Sequence, residues 1–216
     1  MYGAGLVVLA LGIVLNTKTG LGTAPLVSIS YCVSQLTPFA FANLTFVVYG
    51  SFVLIEIILH LIRMDKKRLV NDVLQLPFAL IFTRFMGLFD RWLPNLAADC
   101  AGTVWATLGM RLAVLAVAIA LIGLGVCLSV RMRLVPNPGD GAVLAISDFT
   151  GWSLGLTKNA FDLTNVLIAC AIGLIARGQI LGVGIGTVLA MLGVGRVVDL
   201  CGRLLGEKLA GLVPGK

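Results

Sequence analysis

The segment "NTKTGLGTAP" at residues 16–25 decides the fold, because it places polar backbone between two apolar segments. It contains Lys18, two glycines and Pro25, and the apolar run that follows it ends at residue 36, before Thr37. As a helix, residues 24–36 would be about 20 Å long, whereas the hydrocarbon core of a bilayer is about 30 Å thick. The pattern therefore predicts a helix that enters a membrane without crossing it.

The composition predicts an integral membrane protein with one membrane domain, residues 1–216. The chain of 216 residues is 59% hydrophobic and 12% charged, whereas a soluble domain has about 25% charged residues. The net charge of +6 is interpreted as basic loops that face the cytoplasm and anionic lipid, with no nucleic-acid partner. The chain begins almost directly in an apolar segment, which is compatible with a short basic leader before Met1.

Six segments approach the length of about 20 apolar residues that a spanning helix needs. They are residues 2–16, 39–62, 70–93, 104–130, 159–176 and 179–202. Two further apolar segments are short, and each follows a stretch rich in glycine and proline. These are residues 24–36, and residues 141–153 after "RMRLVPNPGDG" at 131–141.

Basic residues discriminate between two topologies, because loops rich in Lys and Arg stay in the cytoplasm. If all eight segments cross, the loop charges divide 8 to 5 between the two sides. If the two short segments return to the side they came from, the charges divide 10 to 3. We therefore predict six transmembrane helices plus two re-entrant helical hairpins in the inner cell membrane, with both termini cytoplasmic.

The two halves of the chain share one order of segments, which predicts an internal repeat. Repeat 1 covers about residues 1–94 and repeat 2 about residues 104–203, followed by a cytoplasmic tail at 204–216. "LGIVL" at 11–15 parallels "LGVCL" at 124–128, and "NLT" at 43–45 parallels "DLT" at 162–164. Three spans in each half make the repeats inverted, an architecture found in secondary transporters.

These segments resemble a known family. The apolar first span, "GLGTAP" at 20–25 and "NPGDG" at 137–141 are similar to the YczE-like and YitT-like bacterial membrane proteins. Leu21, Gly22 and Pro25 match the first-loop pattern L-G-x-x-P-W-D, and Leu26 and Val27 stand where that pattern has Trp-Asp. The resemblance implies an integral membrane protein of poorly defined activity that is suspected of transport.

The hairpins predict a binding site near the middle of the membrane. Gly20 and Gly22 permit unusual backbone dihedrals, and Pro25 suits the first turn of a helix. Thr23 and Asp140 are predicted as helix caps. Both short helices are expected to point their N-termini toward the centre, where the free N–H groups favour an anion or a carboxylate. The alternative is a pair of interfacial loops without a ligand.

The predicted substrate-binding residues are polar residues and glycines in and beside the hairpins: Asn16, Gly20, Gly22, Thr23, Ser28, Ser30, Asn43, Asn137, Gly139, Asp140, Asp148 and Asp162. The alternative role for each is capping or hydrogen bonding within its hairpin. Several ionisable residues within spans are not selected, namely Glu56, Asp72, Arg84, Asp90, Arg111, Arg196 and Asp199. Asp72 is interpreted as interfacial, because it lies near the basic loop at 63–68.

Three further predictions concern single residue types. His60, the one histidine, is expected at the lipid interface beside basic residues. The five cysteines form no C-x-x-C pair, so neither a disulfide framework nor a zinc site is expected, and no cofactor is predicted. A stripe of small residues in the last span, Gly178, Gly182, Gly186 and Ala190, predicts close helix packing.

The sequence favours a small-solute secondary transporter rather than an enzyme. The expected substrate is a zwitterionic metabolite such as an amino acid, with Asp140 or Asp162 near its amine and open to protonation as a coupling step. One alternative is a substrate-binding membrane subunit of a larger energised transporter. The other is a membrane-embedded lipid-modifying enzyme. The expected partners are the small-molecule substrate and the lipid bilayer, and assembly into a homo-oligomer stays open.

Overall fold

The computed structural model describes residues 2–64, 66–131 and 136–210, and all regular structure within these ranges is helical. The α-helices are α1 (Tyr2–Lys18), α2 (Ser28–Leu36), α3 (Phe41–Ile62), α4 (Lys66–Trp92), α5 (Leu108–Arg131), α6 (Pro138–Thr150), α7 (Leu154–Arg177) and α8 (Ile185–Ala210). Two 3₁₀-helices cover Pro25–Val27 and Val104–Ala106. The predicted all-α class is confirmed for the described residues.

Among the described residues, four helices are long and apolar enough to cross a membrane: Phe41–Ile62, Arg68–Trp92, Leu108–Ser129 and Leu154–Arg177. Their mean hydropathy lies between 1.4 and 2.7. Large apolar side chains such as Val47, Leu54 and Ile175 are exposed on their outer faces, as expected where lipid replaces water. The chain is therefore a helical membrane protein.

The last of the six predicted spans differs from the prediction. Helix α1 coincides with the first predicted span, residues 2–16, but is shorter than the four helices of spanning length. The last span was predicted from residue 179, but α8 begins at Ile185. Gly178 ends α7 with φ +65° and donates its N–H to Leu174 O, and Gly182 has φ +74°. Because both glycines lie outside α8, the predicted stripe of small residues on one helix is wrong.

Both short-helix segments are present, and each begins with a proline, Pro25 in the 3₁₀-helix before α2 and Pro138 in α6. Helix α2 has 9 residues and continues from the 3₁₀-helix at Pro25–Val27. Helix α6 has 13 residues and starts at Pro138. The N-cap residues are Ala24 and Asn137, so the predicted caps Thr23 and Asp140 are wrong. Asp140 instead lies within the first turn of α6.

Some predicted segments extend past the described residues. Residues 132–135 of "RMRLVPNPGDG" and residues 211–216 of the predicted tail lie outside them. The predicted tail was to begin at residue 204, but α8 continues to Ala210.

Several helix contacts match between the two halves, whereas the extensive contact between α3 and α4 has no comparable counterpart between α7 and the described part of α8. Helix α1 packs along α5, α1 packs on α4 as α5 packs on α8, and α2 packs on α7 as α6 packs on α3. The contact between α2 and α3 likewise has its counterpart between α6 and α7. If α1–α4 are exchanged with α5–α8 in order, the α1–α5 contact maps onto itself and each of the other contacts named here maps onto its counterpart.

The two short-helix segments contact α4 at positions far apart along its length. Lys18, at the end of α1, pairs with Asp90 at 2.8 Å near the C-terminal end of α4. Asp148 of α6 pairs with Arg68, near the N-terminal end of α4. At 1.5 Å per residue, Arg68 and Asp90 are about 33 Å apart along the helix. The two segments are therefore attached to opposite ends of α4.

Both connections of the segment between α1 and α3 contact the C-terminal part of α4. Asn43, in the first turn of α3, accepts a hydrogen bond of 3.2 Å from Arg84 in the C-terminal part of α4. Lys18 reaches the same part of α4 through Asp90. Helix α2 therefore lies between two connections, at Lys18 and Asn43, that contact the same end of α4.

Glycines allow the backbones of α1 and α5 to approach closely. A Cβ atom on Gly12 would lie 2.8 Å from Ile122 N, and one on Gly125 would lie 2.6 Å from Leu9 N. The apolar core includes Leu9 and Ile122 from this crossing. Small residues at a helix crossing permit the van der Waals packing that stabilises membrane helices.

We expect Gly125→Ala to lower the free energy of unfolding by about 1–3 kcal/mol, because the new methyl group would meet the α1 backbone. Gly109→Ala on the same helix is the matched control, since a Cβ there has nothing within 4 Å. Thermal unfolding of the two purified variants in detergent provides the measurement. Equal melting temperatures would contradict the close approach of α1 and α5.

Candidate functional site

The N-terminal ends of the two short-helix segments are in contact. A Cβ atom on Gly139, in the first turn of α6, would lie 2.9 Å from Leu26 Cδ2. Leu26 belongs to the 3₁₀-helix that precedes α2. We call the two N-terminal ends, residues 24–28 and 137–141, the tips. A side chain larger than hydrogen at residue 139 would require the Leu26 side chain to shift.

Each tip offers fewer N–H groups than a helix N-terminus usually does. In the α6 tip, the N–H groups of Asp140 and Gly141 both donate to Asn137 O at 2.9 Å. Pro138 has no N–H, so Gly139 carries the remaining donor of that turn. In the other tip, Pro25 has no N–H and Val27 donates to Ala24 O at 3.1 Å, which leaves Leu26. An anion would therefore find fewer free N–H donors at the tips than the sequence predicted.

Two carboxylates share one lysine beside the α6 tip. Lys158 Nζ of α7 lies 3.1 Å from Asp162 Oδ1 and 3.8 Å from Asp140 Oδ1. The side chains of Asp162 and Asp140 are only 8% and 22% exposed. With all three groups ionised, this Asp–Lys cluster has a net charge of −1, which suits a further positive charge.

A buried tyrosine lies next to the cluster. Tyr49 of α3 is fully buried, and its ring stacks on Phe82 at a centroid distance of 5.8 Å. Its hydroxyl approaches the side chain of Asn137 but makes no well-aligned hydrogen bond. Buried hydroxyl groups are normally satisfied. Tyr49 therefore presents an open polar atom close to the α6 tip.

A carboxyl–amide pair lies directly beneath the first turn of α6. Gln75 Nε2 of α4 donates to Glu56 Oε2 of α3 at 2.6 Å, and both residues are 1% exposed. A Cβ atom on Gly141 would lie 2.7 Å from Glu56 Oε1 and 2.6 Å from Glu56 Oε2. Gly141 therefore lets the α6 backbone rest on the carboxyl group of Glu56. Neither member of this pair is among the predicted substrate-binding residues.

The prediction that His60 faces the lipid interface is wrong, because its side chain is buried against α4, whereas the interfacial depth expected for Asp72 stays a prediction. His60 is 7% exposed and Asp72 is 3% exposed. His60 Nδ1 lies 2.7 Å from Asp72 Oδ2, between α3 and α4. The available signal was helical periodicity, because Tyr49, Glu56 and His60 recur on one face of α3.

Three of the predicted first-half residues close a loop against the second half of the chain. The Thr23 N–H donates to Gly182 O at 2.9 Å, and the Thr23 hydroxyl donates to the same oxygen at 3.1 Å. A Cβ on Gly22, where φ is +129°, would lie 2.6 Å from Thr187 Oγ1. Gly20 lies beside the guanidinium group of Arg111. In this conformation these residues hold the loop in place.

Two other predicted residues have polar atoms without partners. Asn16 is fully buried and neither atom of its amide group has a hydrogen-bond partner, and the hydroxyl of buried Ser30 also has none. By contrast, the Ser28 hydroxyl donates to Pro25 O at 2.8 Å. Asn16 and Ser30 therefore retain polar groups within the first half that a ligand or water can use.

Asn43 and Asp148 lie away from the tips. Asn43 is exposed and accepts its hydrogen bond from Arg84. Asp148 lies near the C-terminal end of α6, paired with Arg68. Of the twelve predicted residues, the α6 tip and the Asp–Lys cluster contain Asn137, Gly139, Asp140 and Asp162. Within the described residues, no group of three or more His, Cys, Asp and Glu is arranged to hold a metal ion.

We expect Gln75→Leu to lower the free energy of unfolding by about 1–3 kcal/mol, because it leaves the buried Glu56 carboxyl without its amide donor. Thermal unfolding in detergent provides the measurement. The double variant Glu56→Leu/Gln75→Leu is the control, since replacing both partners with apolar groups restores much of the loss. If the two substitutions simply add, the pair does not interact in the way described.

The comparisons with known proteins give one match. A family model described as a family of unknown function, DUF6198, matches residues 1–203. Neither the curated proteins nor the solved structures gave a match. The resemblance to YczE-like and YitT-like proteins consequently stays a prediction. Because the match covers most of the chain, the chain belongs to the DUF6198 family.

Proposed function

Since its family has no established activity, we propose that this chain is a small-solute secondary transporter whose substrate binds where the two tips meet. The observation that carries the proposal is the Asp–Lys cluster, with its net negative charge, beside the contact between Gly139 and Leu26. Ionisable groups inside a membrane are costly and usually functional. Broken hydrophobic segments in matching positions of two repeats commonly form transporter sites.

The proposal includes six crossings, two re-entrant hairpins and inverted repeats. The matching packing pairs of the two halves support the repeats. The attachment of the two short-helix segments to opposite ends of α4 supports their inversion. Non-helical backbone at membrane depth is tolerated where protein or a water-filled cavity surrounds it, which suits the loop at residues 19–24, where Thr19, Thr23 and Ala24 are buried.

Cysteine labelling in cells tests this topology. In a variant whose native cysteines are replaced by serine, we expect Pro38→Cys, between α2 and α3, to react with an impermeant reagent from outside. Trp152→Cys, between α6 and α7, is expected to react only after the cytoplasmic side is opened. The reason is that inverted hairpins return to opposite sides. Labelling of both positions from the same side would contradict the inverted arrangement.

The charges around the tips support a zwitterionic substrate, such as an amino acid. The Asp–Lys cluster favours a positively charged amine, since one lysine neutralises only one of its two carboxylates. The N–H groups of Leu26 and Gly139 lie at the positive ends of the two helix dipoles, which favour a carboxylate. The Tyr49 hydroxyl adds a buried polar group beside Asn137 and Asp140.

We expect Asp140→Asn to weaken binding of the transported amino acid more than about tenfold, because it removes a partly buried charge partner of the amine. Asp199→Asn is the matched control, since Asp199 is exposed on α8. Uptake into proteoliposomes and thermal-shift binding are measured for an amino acid, its amine analogue without the carboxylate, and its acid analogue without the amine.

The outcomes separate the alternatives. An anionic substrate whose affinity rises in Asp140→Asn would contradict the zwitterion. Binding without uptake by the purified chain would instead indicate a substrate-binding subunit of a larger energised transporter. Turnover of a bilayer lipid by the purified chain would indicate a membrane-embedded enzyme.

A further inference from the structure

Two buried side-chain pairs form a polar ladder between α3 and α4. Glu56 and His60 are one turn apart on α3, and Asp72 and Gln75 are one turn apart on α4. Gln75 Nε2 donates to Glu56 Oε2 at 2.6 Å, and His60 Nδ1 lies 2.7 Å from Asp72 Oδ2. We call these four residues the polar ladder. No member is more than 7% exposed.

The ladder is only half satisfied. Glu56 Oε1, Gln75 Oε1 and His60 Nε2 are buried and have no hydrogen-bond partner. A buried network that serves only stability is normally complete, because each unpaired polar atom costs about 1–3 kcal/mol. Three open atoms in one ladder therefore suggest groups that exchange protons or bind water.

One end of the polar ladder borders a cleft, and the other end contacts the first turn of α6. At one end, a cleft of about 230 Å³ is lined by His60, Arg63, Arg68, Asp148, Leu59 and Ala145. At the other end, the Glu56 carboxyl contacts Gly141, which follows Asp140 of the Asp–Lys cluster. The ladder consequently connects the cleft at the N-terminal end of α4 with the proposed substrate site.

The charged groups around Glu56 are mostly acidic. Asp72 faces it from α4 and Asp140 from α6, and α2 carries no charged residue. On α7, Lys158 is engaged by Asp140 and Asp162. On α3 itself, His60 is engaged by Asp72. A carboxylate that is buried with one neutral amide donor is costly, and taking up a proton removes the charge.

We propose that Glu56 is a proton-binding site, and that the His60–Asp72 pair relays protons between it and the cleft. One proton passes from water in the cleft to His60, and one passes from His60 to Glu56. The Glu56 carboxylate becomes the neutral acid, and the imidazole ends with the protons it had at the start. Glu56 and His60 are one helical turn apart on α3, with their Cβ atoms about 5–6 Å apart, so the two side chains are neighbours on one helix face.

Coupling to transport follows from the shared charge and rests on the proposed function. A substrate amine at Asp140 and a proton on Glu56 each reduce the negative charge on the two sides of Gly141. Each therefore weakens the binding of the other, and the coupling is reciprocal. Entry of the amine favours release of the Glu56 proton to the cleft through His60.

Infrared difference spectroscopy tests the proton site without any substrate. Purified protein in liposomes is compared between acidic and alkaline buffer, and we expect a carboxylic acid C=O band that is lost in Glu56→Gln and kept in Asp199→Asn. In Gln75→Leu the band should move to higher frequency, because its hydrogen-bond donor is lost. This second variant identifies the band even if Glu56→Gln does not fold.

The relay is tested by following the same band after a rapid change of pH. His60→Phe should keep the band and slow its appearance at least tenfold, whereas Asp199→Asn should leave the rate unchanged. A titrating band that persists in Glu56→Gln, the absence of any band, or an unchanged rate in His60→Phe would overturn the inference. Failure of amino-acid uptake with the band intact would overturn the proposed function alone.

Discussion

The backbone of residues 19–24 has to find its hydrogen bonds outside a helix, and the rest of the structure depends on this requirement. A membrane leaves no water to satisfy such groups. Besides local hydrogen bonds, three partners come from the second half: Thr23 N–H donates to Gly182 O, Leu21 O accepts from Gly186 N–H, and Thr19 O accepts from Arg111 Nε. The start of α8 and the start of α5 therefore hold the first short-helix segment in position.

Because the loop is held in this way, the first tip can meet the second. Glycines at the contact points keep the approaching surfaces free of side chains: Gly22 faces Thr187, Gly139 faces Leu26, and Gly141 faces Glu56. Larger side chains at these positions would require the neighbouring groups to shift. Because these glycines have no side chains, they permit the close packing and also leave the N-terminal end of α6 open toward the Asp–Lys cluster.

The polar residues inside the bundle form two groups with different chemistry. The Asp–Lys cluster pairs opposite charges and retains one excess negative charge. The polar ladder has two acids, a histidine and an amide, with open atoms at three positions. The two groups lie on either side of the first turn of α6, so a change of charge in one group changes the electrostatic potential at the other. This proximity makes the first turn of α6 the element through which binding and protonation can be linked.

The sequence alone determined the helical membrane class, the two short-helix segments with a proline at their start, and the order of helices in each half. Local chemistry is sufficient for these features, since hydropathy and proline act within a few residues. It also pointed to Asn137, Gly139, Asp140 and Asp162. Only the tertiary structure decided that α8 begins at Ile185, that His60 and Asp72 are buried as a pair, and that Glu56 lies beneath Gly141. Whether a polar residue on an apolar helix faces lipid or a partner depends on how that helix is rotated against its neighbours, and that rotation is set by packing between segments distant in the chain.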